Sequence, residues 1–551
     1  MSKIIIVGGV AGGATAAARL RRLDENAEII MFERGEHISF ANCGLPYYIG
    51  NAIEDREELL LQTPESFNSR FNVDVRINSE VLSVDRAAKT VTAENKLTGD
   101  TYTESYDKLI LAPGGAPIKP PIEGINSERV FTLRNVADTD HIKAFIENRR
   151  PIRAAVVGGG FIGIEMAENL IEAGLDVSVI EMADQVIAPL DYDMACDIHQ
   201  YLRQKGVSLY LNNGLQSITE QNGGLRIGLS NASLDADMVI LAIGVKPENQ
   251  LAKACGLETN ARGGIITDTH MRTADPDIYA VGDAVEVVDF VTKQAAMVPL
   301  AGPANKQARI AADNICGIPS VYSGTQGSAV IKVFDMTVAF TGINEKTAVR
   351  LGLDYNKVFL WLPDHAGYYP GSNQMSIKVL FENAGGRLLG AQITGFNGVD
   401  KRCDVFAVAI RAGLTAYDLS ELELCYAPPF SSAKDPVNIA GFVIENVLTG
   451  KDKIYHWHDV DGLPRDGSVT LLDVRTPQEY AGGHIDGFIN IQLDELRGRI
   501  DELHNVKRVY VNCQSGLRSY IASRILSQRG FDVYNLSGGY RLYSSVKRGD
   551  N

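Results

Sequence analysis

Three things are scarce in this 551-residue chain. It lacks any apolar run near the roughly 18 residues that suggest a membrane-spanning helix, so no membrane partner is expected. Cysteine is thin: Cys43, Cys196, Cys255, Cys316, Cys403, Cys425 and Cys513 are seven, an odd count spread along the chain. That spacing does not describe a disulfide scaffold. No CxxC pair or Cys/His cluster has metal-ligand spacing either, so no metal is expected. Positive charge is also short, with 53 Lys and Arg against 68 Asp and Glu and a formal net charge of -15. No basic block offsets this. Nucleic acid is therefore excluded as a partner, while an anionic small ligand at a local basic patch is not. Met1-Ser2-Lys3 runs straight into the apolar Ile4 to Val7, without a signal-peptide core or cleavage site, so a cytoplasmic protein is expected.

What is present is apolar material, 45% of residues. It suffices for about three or four domains of roughly 150 residues. Two segments then stand out. Ile4 to Val7 leads into Gly8-Gly9-Val10-Ala11-Gly12-Gly13 and an Ala-rich run, a strand, a tight turn and a helix. Such a turn aims backbone N–H groups and a helix N-terminus at a pyrophosphate. Glu33, after the strand Glu28 to Phe32, stands where an acid bonds a ribose hydroxyl. Val10 takes the place of the second glycine, so an ordinary turn is the plain alternative. Ala154 to Val157 leads into a fuller version, with Gly158, Gly160 and Gly163, then the strand Asp176 to Ile180 and Glu181. A carboxylate there favours a free 2′-hydroxyl, hence NADH, with NADPH left possible. Two such turns imply two dinucleotides and a hydride passed between them.

With Asp277-Ile278-Tyr279-Ala280-Val281-Gly282-Asp283, the chain over about residues 1–450 resembles the two-dinucleotide disulfide reductase family. The resemblance implies FAD and NADH as cofactors, with Asp283 on the FAD ribityl chain. Leu109 to Gly115 and Leu241 to Pro247 match the family's returns toward the FAD and out of the nicotinamide domain.

The segment Ser39-Phe40-Ala41-Asn42-Cys43-Gly44-Leu45-Pro46-Tyr47-Tyr48 holds one cysteine where many relatives have two, since Tyr48 stands at the second position. A lone redox cysteine must pair with an outside thiol, a sulfane sulfur or oxygen. A flavin or a helix end could favour its thiolate. The pattern resembles coenzyme A disulfide reductases with their persulfide-reducing relatives, and also NADH peroxidases and oxidases. Val10, where the peroxidases carry histidine, argues against the latter. The coenzyme A branch implies substrate contacts at Thr15, Arg19, Arg22, Ser39 and Asn42, and more weakly at Asn305 and Lys434. Arg19 and Arg22 share a helix face that suits a phosphate; a solvated basic patch is the alternative. Residues 329–450 resemble the family's interface domain, which implies a homodimer. There Tyr426 and Tyr368 match tyrosines that reach the partner's cysteine, where a phenol could donate a proton.

Near the C-terminus, Asp473-Val474-Arg475, Gly483-His484-Ile485 and Cys513-Gln514-Ser515-Gly516-Leu517-Arg518-Ser519 follow one another. The set resembles a rhodanese domain from about residue 458. Loop N–H groups and a helix N-terminus would stabilise a thiolate or persulfide at Cys513. Arg518 would add charge and hold the loop, and His484 reads as structural. The expected fold is α/β, with two Rossmann-like dinucleotide-binding domains, an α+β dimerisation domain and a C-terminal α/β rhodanese domain. The divisions are 1–115 with 248–328 (FAD), 116–247 (NAD), 329–450 (dimerisation), 451–466 (linker) and 467–551 (rhodanese). The expected activity is NADH-driven reduction of coenzyme A persulfide, polysulfide or related S–S bonds, with coenzyme A as the carrier thiol. Coenzyme A disulfide reduction is the near alternative. An NADH oxidase or peroxidase and a redox sensor stand further off.

Overall fold

The computed structural model describes residues 2–503 and 508–549. Met1, residues 504–507 inside the expected rhodanese domain and its last two residues, 550–551, lie outside the described residues. The chain forms two compact units, Met1–Asp184 with Gly206–Gly327, and Gln185–Lys205 with Ser328–Asn551.

The first unit repeats one plan. Its first parallel sheet runs in the order Ile278–Ala280, Lys108–Leu111, Lys3–Val7, Glu28–Phe32, Asp74–Arg76. Its second runs Ser208–Tyr210, Asp176–Ile180, Arg153–Val157, Met238–Leu241, Val130–Thr132. The strand that opens each glycine turn is central in both. Ile4, Ile5, Ile6, Ala155 and Val156 are almost wholly buried, as expected for parallel strands covered on both faces. Each sheet has a companion three-stranded antiparallel meander, within 79–105 and 215–236.

The second unit contains an antiparallel sheet in the order Ala329–Val333, Met336–Gly342, Leu388–Gly395, Gln374–Glu382, Tyr355–Pro363. A parallel sheet follows, in the order Lys453–Tyr455, Asp532–Leu536, Arg508–Asn512, Thr470–Asp473, Ile489–Asn490.

Two expected divisions need correction. Residues 451–466 are no linker: Lys453–Tyr455 is an edge strand paired with Asp532–Leu536, and Trp457–Gly462 is a short 3-10 helix. Tyr455 and Val460 are buried in a core with Leu471, Ile485, Phe488 and Leu536. A three-residue strand is too short to show a period. Residues 185–205, expected in the NAD-binding domain, belong instead to the second unit. Their helix Tyr192–Gln204 packs against the last helix, Gly539–Gly549, where Ser545 Oγ donates to Asp197 Oδ1 at 2.6 Å and Gln200 Nε2 donates to Ser545 O at 3.1 Å.

Within this unit Lys378 is fully buried. Its ammonium meets Asp193 at 2.9 Å, Asp191 at 3.0 Å and Glu345 at 2.7 Å. Lys357 also bonds Glu345, and Trp457 Nε1 donates to Asp193 Oδ2 at 3.2 Å. Burial alone would push Lys378 down, but the carboxylates Asp193, Asp191 and Glu345 leave it raised. Burial would lift Glu345, but Lys378 and Lys357 hold it at about 2. The cluster ties the helix Tyr192–Gln204, the antiparallel sheet and the start of the C-terminal domain together. Lys378→Met would leave the buried carboxylates of Asp191 and Asp193 without their cation and should cost on the order of 3–5 kcal/mol, read as a lower unfolding midpoint. Because Glu345 is depressed from 4.5 to about 2, its contribution is complete above pH 4.5 and lost as pH falls toward 2. An acid titration of the melting temperature should show that loss in the native chain and less of it in the Lys378 variant, where Lys357 still pairs Glu345.

Candidate redox and sulfur-transfer sites

The two glycine turns are near copies. Gly8 and Gly158 adopt φ of +106° and +108°. A Cβ on either would lie 2.1 or 2.3 Å from a carbonyl oxygen of the neighbouring strand's exit, Ala112 or Ala242. Gly13 and Gly163 let each helix close on its own turn. In the first, Gly9 N–H donates to Glu33 Oε2 and Gly35 N–H to Glu33 Oε1, both at 2.8 Å. In the second, Gly159 N–H donates to Glu181 Oε2 at 2.7 Å and Ala183 N–H to Oε1 at 2.8 Å. Each predicted ribose acid thus also pins its turn. A Cβ on Gly160 would meet open space, where a pyrophosphate would pass; Val10 at the equivalent place begins the helix Ala11–Leu23. Gly12 packs close to Val281. Asp283 is half-buried, and burial raises it against the opposing charge of Arg134. A partly desolvated carboxylate after the strand Ile278–Ala280 fits a hydroxyl-bearing ligand such as the FAD ribityl chain.

Cys43 lies in the turn Asn42–Gly44, ahead of the helix Leu45–Ile49. Ser39, at φ +45°, donates its N–H to Gly9 O at 2.9 Å and ties the segment to the first turn. Lys143 fastens the short helix, bonding Tyr48 O at 2.9 Å and Asn51 Oδ1 at 2.7 Å and lying over the Tyr48 ring. Gly50 abuts Asn169 on the helix Phe161–Glu172, which follows the second turn. The segment that holds the lone cysteine is therefore tied to the first dinucleotide turn and packs on the helix that follows the second. It is an exposed residue, yet desolvation by the surrounding chain pushes its thiol up, and Glu165 and Asp283 push the same way. The helix that follows the cysteine has only five residues, and the thiol stays raised beside it. Sequence reasoning also missed Glu165 and Tyr47. Burial and Glu168, against a hydrogen bond from Tyr47, lift Glu165 to about 7.

The expected coenzyme A contacts divide. Thr15 Oγ1 donates to Asn305 Oδ1 at 2.7 Å, so those two meet. Arg19 is held by Asp313 at 2.7 Å, leaving Arg22 as the exposed cation of the pair. The adjacent Arg21 is buried and bonds five backbone carbonyls, from Asp24, Glu25, Ala27, Phe71 and Asn72. Asn42 and Lys434 are exposed.

In the second unit, the Tyr368 and Tyr426 hydroxyls are 3.0 Å apart on side chains 77% and 48% exposed. Their hydrogen bond raises the Tyr368 phenol. The predicted sulfur loop is also built. Cys513 is fully buried at the end of the strand Arg508–Asn512. Gly516, at φ +105°, donates its N–H to Cys513 Sγ at 3.1 Å, and Ser519 Oγ donates at 3.2 Å. Arg518 forks Glu479 at 2.7 Å to each oxygen, so it acts on the loop through the helix Pro477–Ala481. That bond first of all holds Glu479 at about 2. Asp473 and Arg475 form a buried pair beneath. His484 stacks on Tyr480 at the surface. From the back, Tyr540 N–H donates to Cys513 O at 2.7 Å and Arg541 N–H to Gln514 O at 3.0 Å. Gly539 permits this approach, because its Cβ would fall 2.5 Å from Cys513 O. Neither Ser519 nor Gly539 carried a role in the sequence, because their partners are fixed only by the closed loop.

Among the described residues no group of His, Cys, Asp and Glu could hold a metal, and no helix is long and apolar enough to cross a membrane. Residues 2–302 match the pyridine nucleotide-disulphide oxidoreductase family, 328–436 its dimerisation domain and 457–545 the rhodanese-like domain. The coenzyme A disulfide reductase of Staphylococcus haemolyticus is 37% identical over 443 residues, 80% of this chain and 99% of that protein. Reduced Bacillus anthracis CoADR-RHD superposes with a TM-score of 0.97 at 50% identity, over 99% of this chain and 98% of that one. A NAD-dependent persulfide reductase from A. fulgidus gives 0.92 at 38%, over 98% and 100%. The water-forming NADH oxidase of Lactobacillus brevis gives 0.78 at 31%, over 82% and 100%. The chain belongs to the pyridine nucleotide-disulphide oxidoreductase family and carries a rhodanese-like domain at its C-terminal end.

Proposed function

We propose that this protein is an FAD-dependent NADH oxidoreductase that reduces the S–S bonds of coenzyme A persulfide, polysulfide or related persulfides through Cys43. Its rhodanese domain would carry sulfane sulfur on Cys513. The observation that carries the reading is the pairing, in one chain, of a single cysteine in a segment tied to the first dinucleotide turn and packed on the helix after the second, with a buried sulfur cradle.

The balance is NADH + H⁺ + R–S–SH giving NAD⁺ + R–SH + H₂S. FAD, when bound, supplies two-electron transfer between the nicotinamide and the cysteine. Gly8, Gly9, Gly12, Gly13 and Glu33, with Asp283, would hold it; Gly158, Gly160, Gly163 and Glu181 would hold NADH. Cys43 would attack the substrate S–S bond, and the next hydride equivalent would free it, so no second cysteine is required. We place the working unit as a homodimer in which Tyr426 and Tyr368 serve the partner's Cys43. Their bonded hydroxyls suit proton delivery to a leaving thiolate. Thr15, Asn305, Arg22, Ser39, Asn42 and Lys434 would contact coenzyme A, with Arg19 acting through its place on the same helix. Free cysteines and an NADH requirement suit the cytoplasm.

Coenzyme A disulfide reduction is the second reading, favoured by the names of the 37% and 39% identical staphylococcal relatives. The rhodanese-like domain favours the first.

The test follows NADH oxidation anaerobically with coenzyme A persulfide, coenzyme A disulfide and peroxide in turn. Fastest turnover with the persulfide and one sulfide per NADH is expected; preference for the disulfide would move the reading to the second. Cys43→Ser should abolish S–S reduction, and retained activity would refute its role. Cys513→Ser should remove sulfur transfer to a thiol while sparing reduction of small persulfides. Tyr426→Phe should lower turnover by about a hundredfold while NADH still reduces the flavin at its native rate. Unchanged turnover would remove the phenol from the mechanism.

A further inference from the structure

A buried acid lies behind the Cys513 loop, in the stretch that reads as a linker in the sequence. Asp452 precedes the edge strand Lys453–Tyr455 and is 4% exposed. Its Oδ2 accepts from Asn535 Nδ2 at 2.9 Å. The same amide nitrogen reaches the Gly516 carbonyl at 3.5 Å. That carbonyl also takes the Ser519 hydroxyl at 3.0 Å. Ser519 Oγ is 3.2 Å from Cys513 Sγ. A chain of contacts therefore runs from a carboxylate to the reactive sulfur, and Asn535, Ser519 and Cys513 are all as buried as Asp452.

The chain is incompletely satisfied. Asp452 Oδ1 and Asn535 Oδ1 have no hydrogen-bond partner among the described residues. Asp452 Oδ2 and Gly516 O are both acceptors when Asp452 is ionised, so the amide must turn its nitrogen to them and leave its oxygen unmatched. Unmatched buried acceptors are costly, and one proton on the carboxyl would relieve the strain by making it a donor. Burial, against the Asn535 amide and the Arg524 guanidinium, lifts Asp452 to about 6.

We propose that Asp452 and Asn535 are positioning residues for sulfur transfer at Cys513, with ionised Asp452 holding the Asn535 nitrogen on the Gly516 carbonyl and so releasing the Ser519 hydroxyl to the sulfur. The proposal rests on the reading of Cys513 as a sulfur carrier. Ser519 has one hydrogen and two acceptors in reach, and it goes to the one less well satisfied. With Asp452 protonated, the acid donates to the Asn535 oxygen, the amide turns, and the Gly516 carbonyl reclaims Ser519. The sulfur then keeps a single donor, the Gly516 N–H at 3.1 Å. In the loading step, Cys513–S⁻ attacks the outer sulfur of thiosulfate, forming Cys513–S–S⁻ as the S–SO₃ bond breaks and sulfite leaves. Both ends of that step carry an anion on sulfur that Ser519 can stabilise.

The charged groups around Asp452 are few. Its neighbours Lys451 and Lys453 pair with Glu445 and Asp532. Asp532 also binds Arg508. Arg524, on the helix Leu517–Ser527, bonds Lys451 O at 2.5 Å. The helix Pro436–Leu448 presents Glu445 and the Asn446 carbonyl, which accepts the Asp452 N–H at 3.0 Å. No histidine is among them.

The test uses the full chain with Cys43→Ser, so that Cys43 cannot take the sulfur, and thiosulfate as donor, with Cys513→Ser as the blank for the other free cysteines. Single-turnover persulfide formation is followed by intact-mass spectrometry between about pH 5 and 8. The rate should rise through a limb centred near pH 6. Asp452→Asn should erase that limb and slow loading about fivefold at neutral pH, the worth of one hydrogen bond. Ser519→Ala should do the same. Because Asp452 is raised from 3.8 to about 6, its ionisation weakens the fold as pH climbs through that window, and fully above it. Asp452→Asn should therefore melt no lower than the parent at neutral pH, which a merely structural role would not allow. A limb that survives either substitution overturns the proposal. Loading that survives Cys513→Ser overturns the carrier reading itself, and the proposal with it.

Discussion

Two dinucleotide turns and one sulfur loop of this molecule depend on the same device, backbone N–H groups turned forward at the exit of a parallel strand. Three loops do so, at Gly8, Gly158 and Gly516, with φ of +106°, +108° and +105°. In each the strand's last residues are buried, and a glycine in the left-handed region swings the next amides forward into a helix. Two of the loops are shaped for pyrophosphates. The third closes on a sulfur. The shared constraint explains why one architecture serves hydride and sulfur chemistry.

The carboxylates divide the labour. Glu33 and Glu181 each take two turn N–H groups and set the pitch of the dinucleotide loops. Glu479 takes Arg518 and fixes the sulfur loop from one side, while the Gly539 approach fixes it from the other. Asp283, Glu165 and Asp452 are different in kind: burial raises all three, and they lie beside reacting or ligand-binding positions. Acids bonded by N–H groups or guanidinium hold shape; the half-buried or buried ones are raised because burial disfavours their charge.

Sequence pattern carried the fold class far and marked the loops at which the candidate centres lie. The glycine spacing, the strands around it and the loops at Cys43 and Cys513 are local signals, written in residues within about one turn of each other. The fold class expected from them is the one found, down to the dimerisation and rhodanese-like segments. The edge strand 453–455 was illegible because three residues cannot display a period, and its partner lies at 532–536. The place of 185–205 was illegible because a helix's apolar face does not say which surface it will meet.

The sequence by itself determined where the strand–turn–helix loops would form and which two cysteines stand out as candidates, because φ preference and strand–turn–helix order are properties of short segments. Only the tertiary structure decided which polar groups press on those sulfurs. Arg19 lost its freedom to Asp313, Ser519 and Gly539 acquired roles, and Asp452 came to lie behind the Cys513 loop. Each of those outcomes depends on burial and on contacts between residues far apart in the chain. A carboxylate's charge and a hydroxyl's choice of acceptor follow from those surroundings and not from its neighbours in sequence.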